Sequence, residues 1–315
     1  MEFLLVLVIF IIGLVMIVKG GDLFVDASIH IAERTGISSG IIGATIVSVA
    51  TTLPEFFVST VASNEGFSEM SVGNALGSYI CNIAFIIGIC ALIKPIKINS
   101  TFFGIKGVMM ITYLCIFFIV SKDGIITFKE GHLLISLILI FIIINIFEHK
   151  REDVKDKIPK KGPIKKKDLL LNGVKFIVGG FLIVYGAHLL VDSGVKIANV
   201  LRIPKQVVSL TLLAIGTSIP ELVTSLTATF KNQQNISVGN ILGANIIDIS
   251  VIMGASALVS DQGLMISRQT LFLDIPMAML VALIFVFTGL FKERIGRFTG
   301  LILLGSYIAY LFIIF

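Results

Sequence analysis

Apolar residues fall in long blocks separated by short polar breaks. Each block is long enough to cross a hydrocarbon core of about 30 Å. Read against the breaks, the pattern predicts ten spans, near 3–18, 37–63, 70–92, 102–121, 131–147, 170–191, 206–229, 236–259, 269–290 and 297–315. The first and sixth are expected to run past their apolar blocks. The alternating apolar and polar positions of an outer-membrane barrel strand are not found. The longest polar stretch, 148–168 (EHKREDVKDKIPKKGPIKKKD), divides the chain nearly in half. The expected fold is an all-α membrane protein with two halves, 1–147 and 169–315, joined by a basic linker.

Composition narrows the class. Of 315 residues, 56% are hydrophobic and 14% charged, and the mean hydropathy is +1.01. Soluble globular chains carry about 25% charged residues. Half that number cannot cover a water-soluble surface of this size. A soluble enzyme, a nucleic-acid binder, a disulfide scaffold and a disordered chain are thereby excluded. The net charge of +5 is explained by Lys and Arg gathered on one side of the bilayer. With the N-terminus outside, the inner loops and the span ends beside them hold 18 basic residues and the outer loops 6. That places both termini outside the cell and the 148–168 linker in the cytoplasm of a multi-pass cell-membrane protein. The linker reads as a stop-transfer cluster, with anionic lipid as an alternative contact. The start, Met1-Glu2, lacks the positive region and cleavage site of a signal peptide, so the first span is read as retained. Cys81, Cys90 and Cys115 lie inside apolar runs and read as small buried hydrophobes.

The chain is internally duplicated. Shifted by 166, residues 20–83 fall on 186–249 without a gap, with 21 identities in 64 positions. ATTLPEFFVS (50–59) meets GTSIPELVTS (216–225), and SVGNALGSYICNI (71–83) meets SVGNILGANIIDI (237–249). Apolar composition alone would match Leu and Ile. Here Thr, Pro, Glu, Ser, Gly and Asn match. Each half carries five spans, so the second half enters the membrane with opposite polarity. Two inverted five-helix repeats, ten helices in all with broken helices at the midplane, form a transporter architecture.

The duplicated motif carries the chemistry. Glu55 and Glu221 each sit near the middle of an apolar span, where a carboxylate needs a partner or a water-filled cavity. Each follows a proline, Pro54 or Pro220, which breaks the hydrogen-bond ladder and frees carbonyls. Each is preceded by a hydroxyl pair, Thr51-Thr52 or Thr217-Ser218. Such breaks survive at membrane depth only where they are buried or line a cavity. Two carboxylates among hydroxyls and carbonyls would be neutralised by a hard divalent cation, and a flexible all-oxygen cage suits Ca²⁺. The competing account is a pair of kinked helices with protonated glutamates, which the duplication disfavours. The neighbouring span adds Ser78 and Asn82 in the first half, and Ala244, Asn245 and Asp248 in the second. Gly73, Gly77, Gly239 and Gly243 allow close backbone approach, either between helices or around an ion. Asp274 and His188 lie near span ends and read as interfacial groups. No phosphate-binding loop is present, so the chain carries no ATPase of its own; with the inverted repeat it is read as a transporter and not an enzyme.

At these residues the sequence resembles the calcium/cation antiporter superfamily. GATIVSVATTLPEFFVS (43–59) with SVGNALGSYICNI resembles its first alpha-repeat. LTLLAIGTSIPELVTS (210–225) with SVGNILGANIIDI resembles the second. The form most resembles the prokaryotic sodium/calcium exchanger branch. The GNxxE pattern of the proton-coupled branch is missing at 51–55 and 217–221, and Glu221 differs from the Asp usual in the potassium-dependent branch. The resemblance implies that Glu55 and Glu221 bind Ca²⁺ jointly and help bind Na⁺ in its absence. Thr51 and Thr217 would give backbone oxygens to Ca²⁺. Thr52 and Ser218 would give hydroxyls to flanking sodium sites, with carbonyls from Ser48 and Ala214. Ser78 would serve one flanking site, and Asn82 and Asp248 would line the centre. Two positions depart from the pattern. Ala244 stands where a Ser is usual, and Ala50-Thr51-Thr52 where Gly-Thr-Ser is usual. The implied function is Ca²⁺/Na⁺ antiport with Ca²⁺ export, by a monomer that needs no cofactor, nucleic acid or obligatory protein partner. Ca²⁺/H⁺ antiport on the same fold is the alternative, and a cation channel a more distant one.

Overall fold

The computed structural model describes residues 2–33, 43–98, 100–152, 166–230 and 234–315. Among them, seven helices are long and apolar enough to cross a membrane. An eighth is added if Lys205–Thr217 and Ile219–Phe230, which meet at 46°, count as one bent span. The chain is thus an all-helical, multi-pass membrane protein. Of the predicted spans, 37–63 begins outside the described residues and continues as the short pieces Gly43–Val47, Ser48–Thr51 and Leu53–Asn64. The sixth is a single helix, Lys166–Leu201. Helices overrun their apolar blocks, as Glu2–Glu33 does and as Phe128–Glu152 does into the linker, because a helix continues through the headgroup layer where polar side chains are solvated. Residues 153–165 of the linker lie outside the described residues.

Burial separates central from peripheral helices. The most apolar part of the first helix, Phe3–Gly20, is only 22% buried, and Leu4, Leu5 and Ile11 face outward. Ser68–Ile93 and Gln234–Val259 are 78% and 83% buried. These two central helices carry the second motif of each repeat. Around them packs a core that includes Tyr79, Ile83, Ile246, Ile249, Phe103 and Phe285. Outside it, the first helix crosses Lys166–Leu201 almost backbone on backbone. A Cβ on Gly186 would lie 2.8 Å from the Gly13 carbonyl, so only glycine permits the crossing.

The repeat is visible in the backbone. Shifted by 166, the π-helical turn Gly43–Val47 falls on a second π-helical turn, Ser209–Leu213. Likewise Ser48–Thr51 falls on Ala214–Thr217, and Leu53–Asn64 on Ile219–Phe230. The copies also meet reciprocally. A Cβ on Gly77 would strike Ala214 and Leu210, while one on Gly243 would strike Ser48 and Ala44, the same pairs with the halves exchanged. These glycines are required by helix packing. Two short antiparallel ribbons tie the loops. β1 (Ile96–Lys97) pairs with β4 (Arg294–Ile295), and β2 (Ile125–Ile126) with β3 (Leu264–Met265).

Two expectations about single residues change. Asp274 is not an exposed group at a span end but fully buried in the protein: it accepts from the Tyr310 hydroxyl at 2.8 Å and the Gln206 amide at 2.7 Å. Cys115 is exposed on the outer face of its helix, while Cys81 and Cys90 are buried as expected. The reading of His188 stands unchanged: it is half exposed and faces Glu65, with Nδ1 3.3 Å from Oε1.

Candidate cation site

The two breaks occur at Thr52 and Ser218, where the helix stops and restarts. Pro54 sits in the first turn of the restarted helix, where its missing N–H costs little. Neither Pro54 nor Pro220 can donate to the carbonyl four residues back, so Ala50 and Gly216 lose their helical donors. The breaks leave polar groups in a fully buried setting. Glu55, Thr51, Thr52, Glu221, Thr217, Ser218, Ser78, Asn82 and Asp248 are each at most 2% exposed.

The halves complete each other's sites. The Ser218 hydroxyl donates to Glu55 Oε1 at 3.1 Å. The Thr52 hydroxyl lies 3.4 Å from Glu221 Oε1 and 2.6 Å from the Ser48 carbonyl, and its one proton serves either acceptor. Thr51 donates to Asn240 Oδ1 at 3.2 Å, and Thr217 to Asn74 Oδ1 at 3.4 Å. Each of these four contacts between the halves has a partner related by the 166-residue shift with the halves exchanged, as a two-fold axis between the copies requires. Ser78 Oγ lies 3.5 Å from Thr217 Oγ1. Ala244, its counterpart, offers no side-chain oxygen. Asn82 donates to Asn245 Oδ1 at 3.0 Å, and Asn245 donates on to the Tyr79 carbonyl.

Several acceptors in this space have no donor. Glu55 Oε2, Glu221 Oε2, Asn82 Oδ1 and both oxygens of Asp248 are buried without a hydrogen-bond partner. Unpaired buried carboxylate oxygens are costly, and a cation is the group that satisfies several at once. The carbonyls of Ser48 and Ala214 are engaged locally. Ser48 O accepts from the Thr52 N–H at 2.9 Å and its hydroxyl at 2.6 Å, and Ala214 O from the Ser218 N–H at 3.0 Å. Each would join a cation only with its second lone pair or after a hydroxyl turns away. Among the described residues, no group of three or more His, Cys, Asp or Glu converges as metal ligands. The cage pairs carboxylates with neutral oxygens instead.

Asn74 and Asn240 are the residues that sequence reasoning passes over. Both lie inside the duplicated SVGN motif and both are identical between the copies. That identity is the available signal.

Fold and site together define a polytopic membrane protein built of two related halves, with an oxygen-lined break from each meeting at its centre. The model of the sodium/calcium exchanger protein family matches residues 5–147 and 172–315; the chain belongs to this family. An uncharacterized membrane protein of Methanocaldococcus jannaschii is 33% identical, covering 95% of this chain and 94% of its own. A sodium/calcium exchanger of Methanosarcina acetivorans is 30% identical, covering 98% of this chain and 97% of its own. A putative antiporter of Alkalimonas amylolytica is 31% identical, covering 96% and 97%. Among solved structures, the sodium-calcium exchanger NCX_Mj soaked with Na⁺ and Sr²⁺ superimposes with a TM-score of 0.71 at 29% identity, covering 98% of both chains. The family is one of ion exchangers, so the chain is a cation antiporter.

Proposed function

We propose that this protein exchanges Ca²⁺ for Na⁺ by alternating access and exports Ca²⁺ from the cell. The carrying observation is the reciprocal pair of breaks, in which a hydroxyl of each half lies within reach of the other half's glutamate while the second oxygen of each glutamate stays unpaired. Glu55 and Glu221 supply two negative charges to one Ca²⁺, with backbone oxygens from Thr51 and Thr217. Thr52, Ser218 and Ser78, with Ser48 and Ala214 carbonyls, serve Na⁺ at the flanks. Asn82 and Asp248 line the centre. The same charges explain obligatory exchange. An empty site would drag two uncompensated carboxylates through an apolar interior, which costs far more than moving a neutralised site. The protein therefore switches only when loaded, and each ion leaves in return for the other.

The proposed architecture is ten spans in two inverted five-helix repeats, 1–147 and 169–315, with both termini outside and 148–168 in the cytoplasm. Loop pairing supports it. In that topology the loops holding β1 and β4 lie on the inner side and those holding β2 and β3 on the outer, so each ribbon joins loops of one side. Gln234, in the loop after the seventh span, bonds to Pro95 and Lys97 on that same inner side. Lys106 and Glu148, at the inner ends of the fourth and fifth spans, form an ion pair. A cysteine at Gly162 is expected to react with a membrane-impermeant thiol reagent in inverted vesicles only. Labelling in intact cells overturns the orientation.

The deciding experiment is Ca²⁺ uptake into proteoliposomes under an imposed Na⁺ or pH gradient. Flux driven by Na⁺ supports the proposal. Flux driven by a pH gradient alone replaces it with Ca²⁺/H⁺ antiport, the reading that Ala244 favours by removing a sodium ligand. Under Na⁺ coupling, the site near Ala244 is weaker than the one near Ser78. One lost neutral ligand costs about 1 kcal/mol, by analogy with a net hydrogen bond. Ala244→Ser is expected to shift the Na⁺ dependence of Ca²⁺ flux several-fold to lower concentration. Ser78→Ala should move it the other way.

A further inference from the structure

The repeat is broken at the side-chain amide of one asparagine. In the first half, the Asn74 side-chain amide donates to Ser59 Oγ at 3.0 Å and to the Glu55 carbonyl at 3.3 Å. It thereby ties the Ser68–Ile80 helix to the Leu53–Asn64 helix that carries Glu55. The shifted counterparts are Asn240 and Ser225, and both pairs are identities in the repeat. All four side chains are fully buried. Yet Asn240 Nδ2 and Ser225 Oγ are both without a partner. The asparagines are otherwise anchored alike, since each accepts through Oδ1 from the threonine of the opposite break. One sequence element is therefore latched in the first half and open in the second.

A buried amide and a buried hydroxyl left unpaired are each costly, and two that are complementary and equivalent to a bonded pair are not a stable end point. Resting on the exchange reading above, we propose that Asn74–Ser59 and Asn240–Ser225 are alternating latches. The first is closed and the second open in the facing state seen here, and they exchange when the protein faces the other way. Two halves related by a two-fold axis reach the opposite state by trading conformations, so a bond made in only one half is one that must switch. The latches position the glutamate helices and touch no ion. Through the Thr51 and Thr217 hydroxyls, each also connects its helix pair to the other half's break.

Ser59→Ala removes the closed latch and should populate the opposite facing state. Ser225→Ala removes the open one and should populate the state seen here. Serine is the better test site, because truncating Asn74 or Asn240 also removes the contact to the threonine of the opposite break, and Ala is well tolerated in a helix. The readout is an Ala244→Cys probe in the cage, with Cys81, Cys90 and Cys115 replaced by Ala. Its reaction with an impermeant thiol reagent is compared from the two faces in right-side-out and inverted vesicles. The ratio of labelling rates is expected to move about fivefold in opposite directions in the two variants, the population change of one net hydrogen bond. Shifts in the same direction, or none, overturn the latch. Ca²⁺ uptake by proteoliposomes of the native chain is measured separately. Its absence would refute the exchange reading, while the labelling ratio, which needs no Ca²⁺, still judges the latch.

Discussion

Glu55→Gln, and separately Glu221→Gln, abolishes Ca²⁺ flux in proteoliposomes while the protein still folds. The substitution keeps size and shape, so no cavity or clash arises. It removes one of two charges facing a divalent ion. Ca²⁺ is held by charged oxygens, and its affinity scales with the number of carboxylates around it. At membrane depth the loss is larger than in water, because no bulk solvent screens the remaining charge imbalance. The effect is expected in both variants, since neither glutamate is a bystander. Each has a hydroxyl of the opposite half beside one oxygen and keeps the other oxygen unpaired. A Gln amide at either position would instead turn an N–H toward the cation. The measurement is radiolabelled Ca²⁺ uptake by purified variants whose thermal unfolding matches the native chain. Native flux in either variant removes the glutamates from the site.

Much of this site is legible in the sequence because the duplication supplies its own control. One glutamate after a proline in an apolar span is ambiguous. Two at a 166-residue shift, each with hydroxyls before it, are not, and both breaks fall where the prolines put them. Of the two roles open to the glycines, Gly77 and Gly243 take the packing one, against the opposite repeat. The residues that escape sequence reasoning share a cause. Asn74 and Asn240 matter through bonds to threonines over 140 residues away in sequence, and no local pattern encodes that partner. Asp274 lies near the start of an apolar block, where hydropathy reads an interface. Its burial is set by Gln206 and Tyr310 arriving from other helices. Cys115 departs from expectation because an apolar run does not say which face of its helix meets lipid. Span ends differ because hydropathy marks the hydrocarbon boundary, while a helix ends where its backbone bonding does.

At Gly243 a single methyl group should do heavy damage. In an ordinary helix, Gly→Ala is favourable by about 0.5–1 kcal/mol, because alanine loses less backbone freedom on folding. Gly305, where an added methyl would meet nothing within 4 Å, belongs to that class. At Gly243 the new Cβ would lie 2.5 Å from the Ala44 carbonyl oxygen and 2.5 Å from Ser48 Oγ. The first is backbone in a π-helical turn and cannot rotate away. Relieving the overlap forces the central helix off the break that carries Thr51 and Thr52. Overpacking of this kind costs about 1–3 kcal/mol, which outweighs the propensity gain. The displacement also spreads the two halves at the place where their hydroxyls reach each other's glutamates. Gly243→Ala is therefore expected to lower the unfolding temperature and reduce Ca²⁺ flux more than tenfold, an effect of about 1.4 kcal/mol or more on the productive state. Gly305→Ala should leave flux unchanged and stability equal or slightly raised. Equal behaviour of the two variants in thermal unfolding and Ca²⁺ uptake would mean that the central helix does not rest on the opposite break as closely as the contacts at Gly243 require.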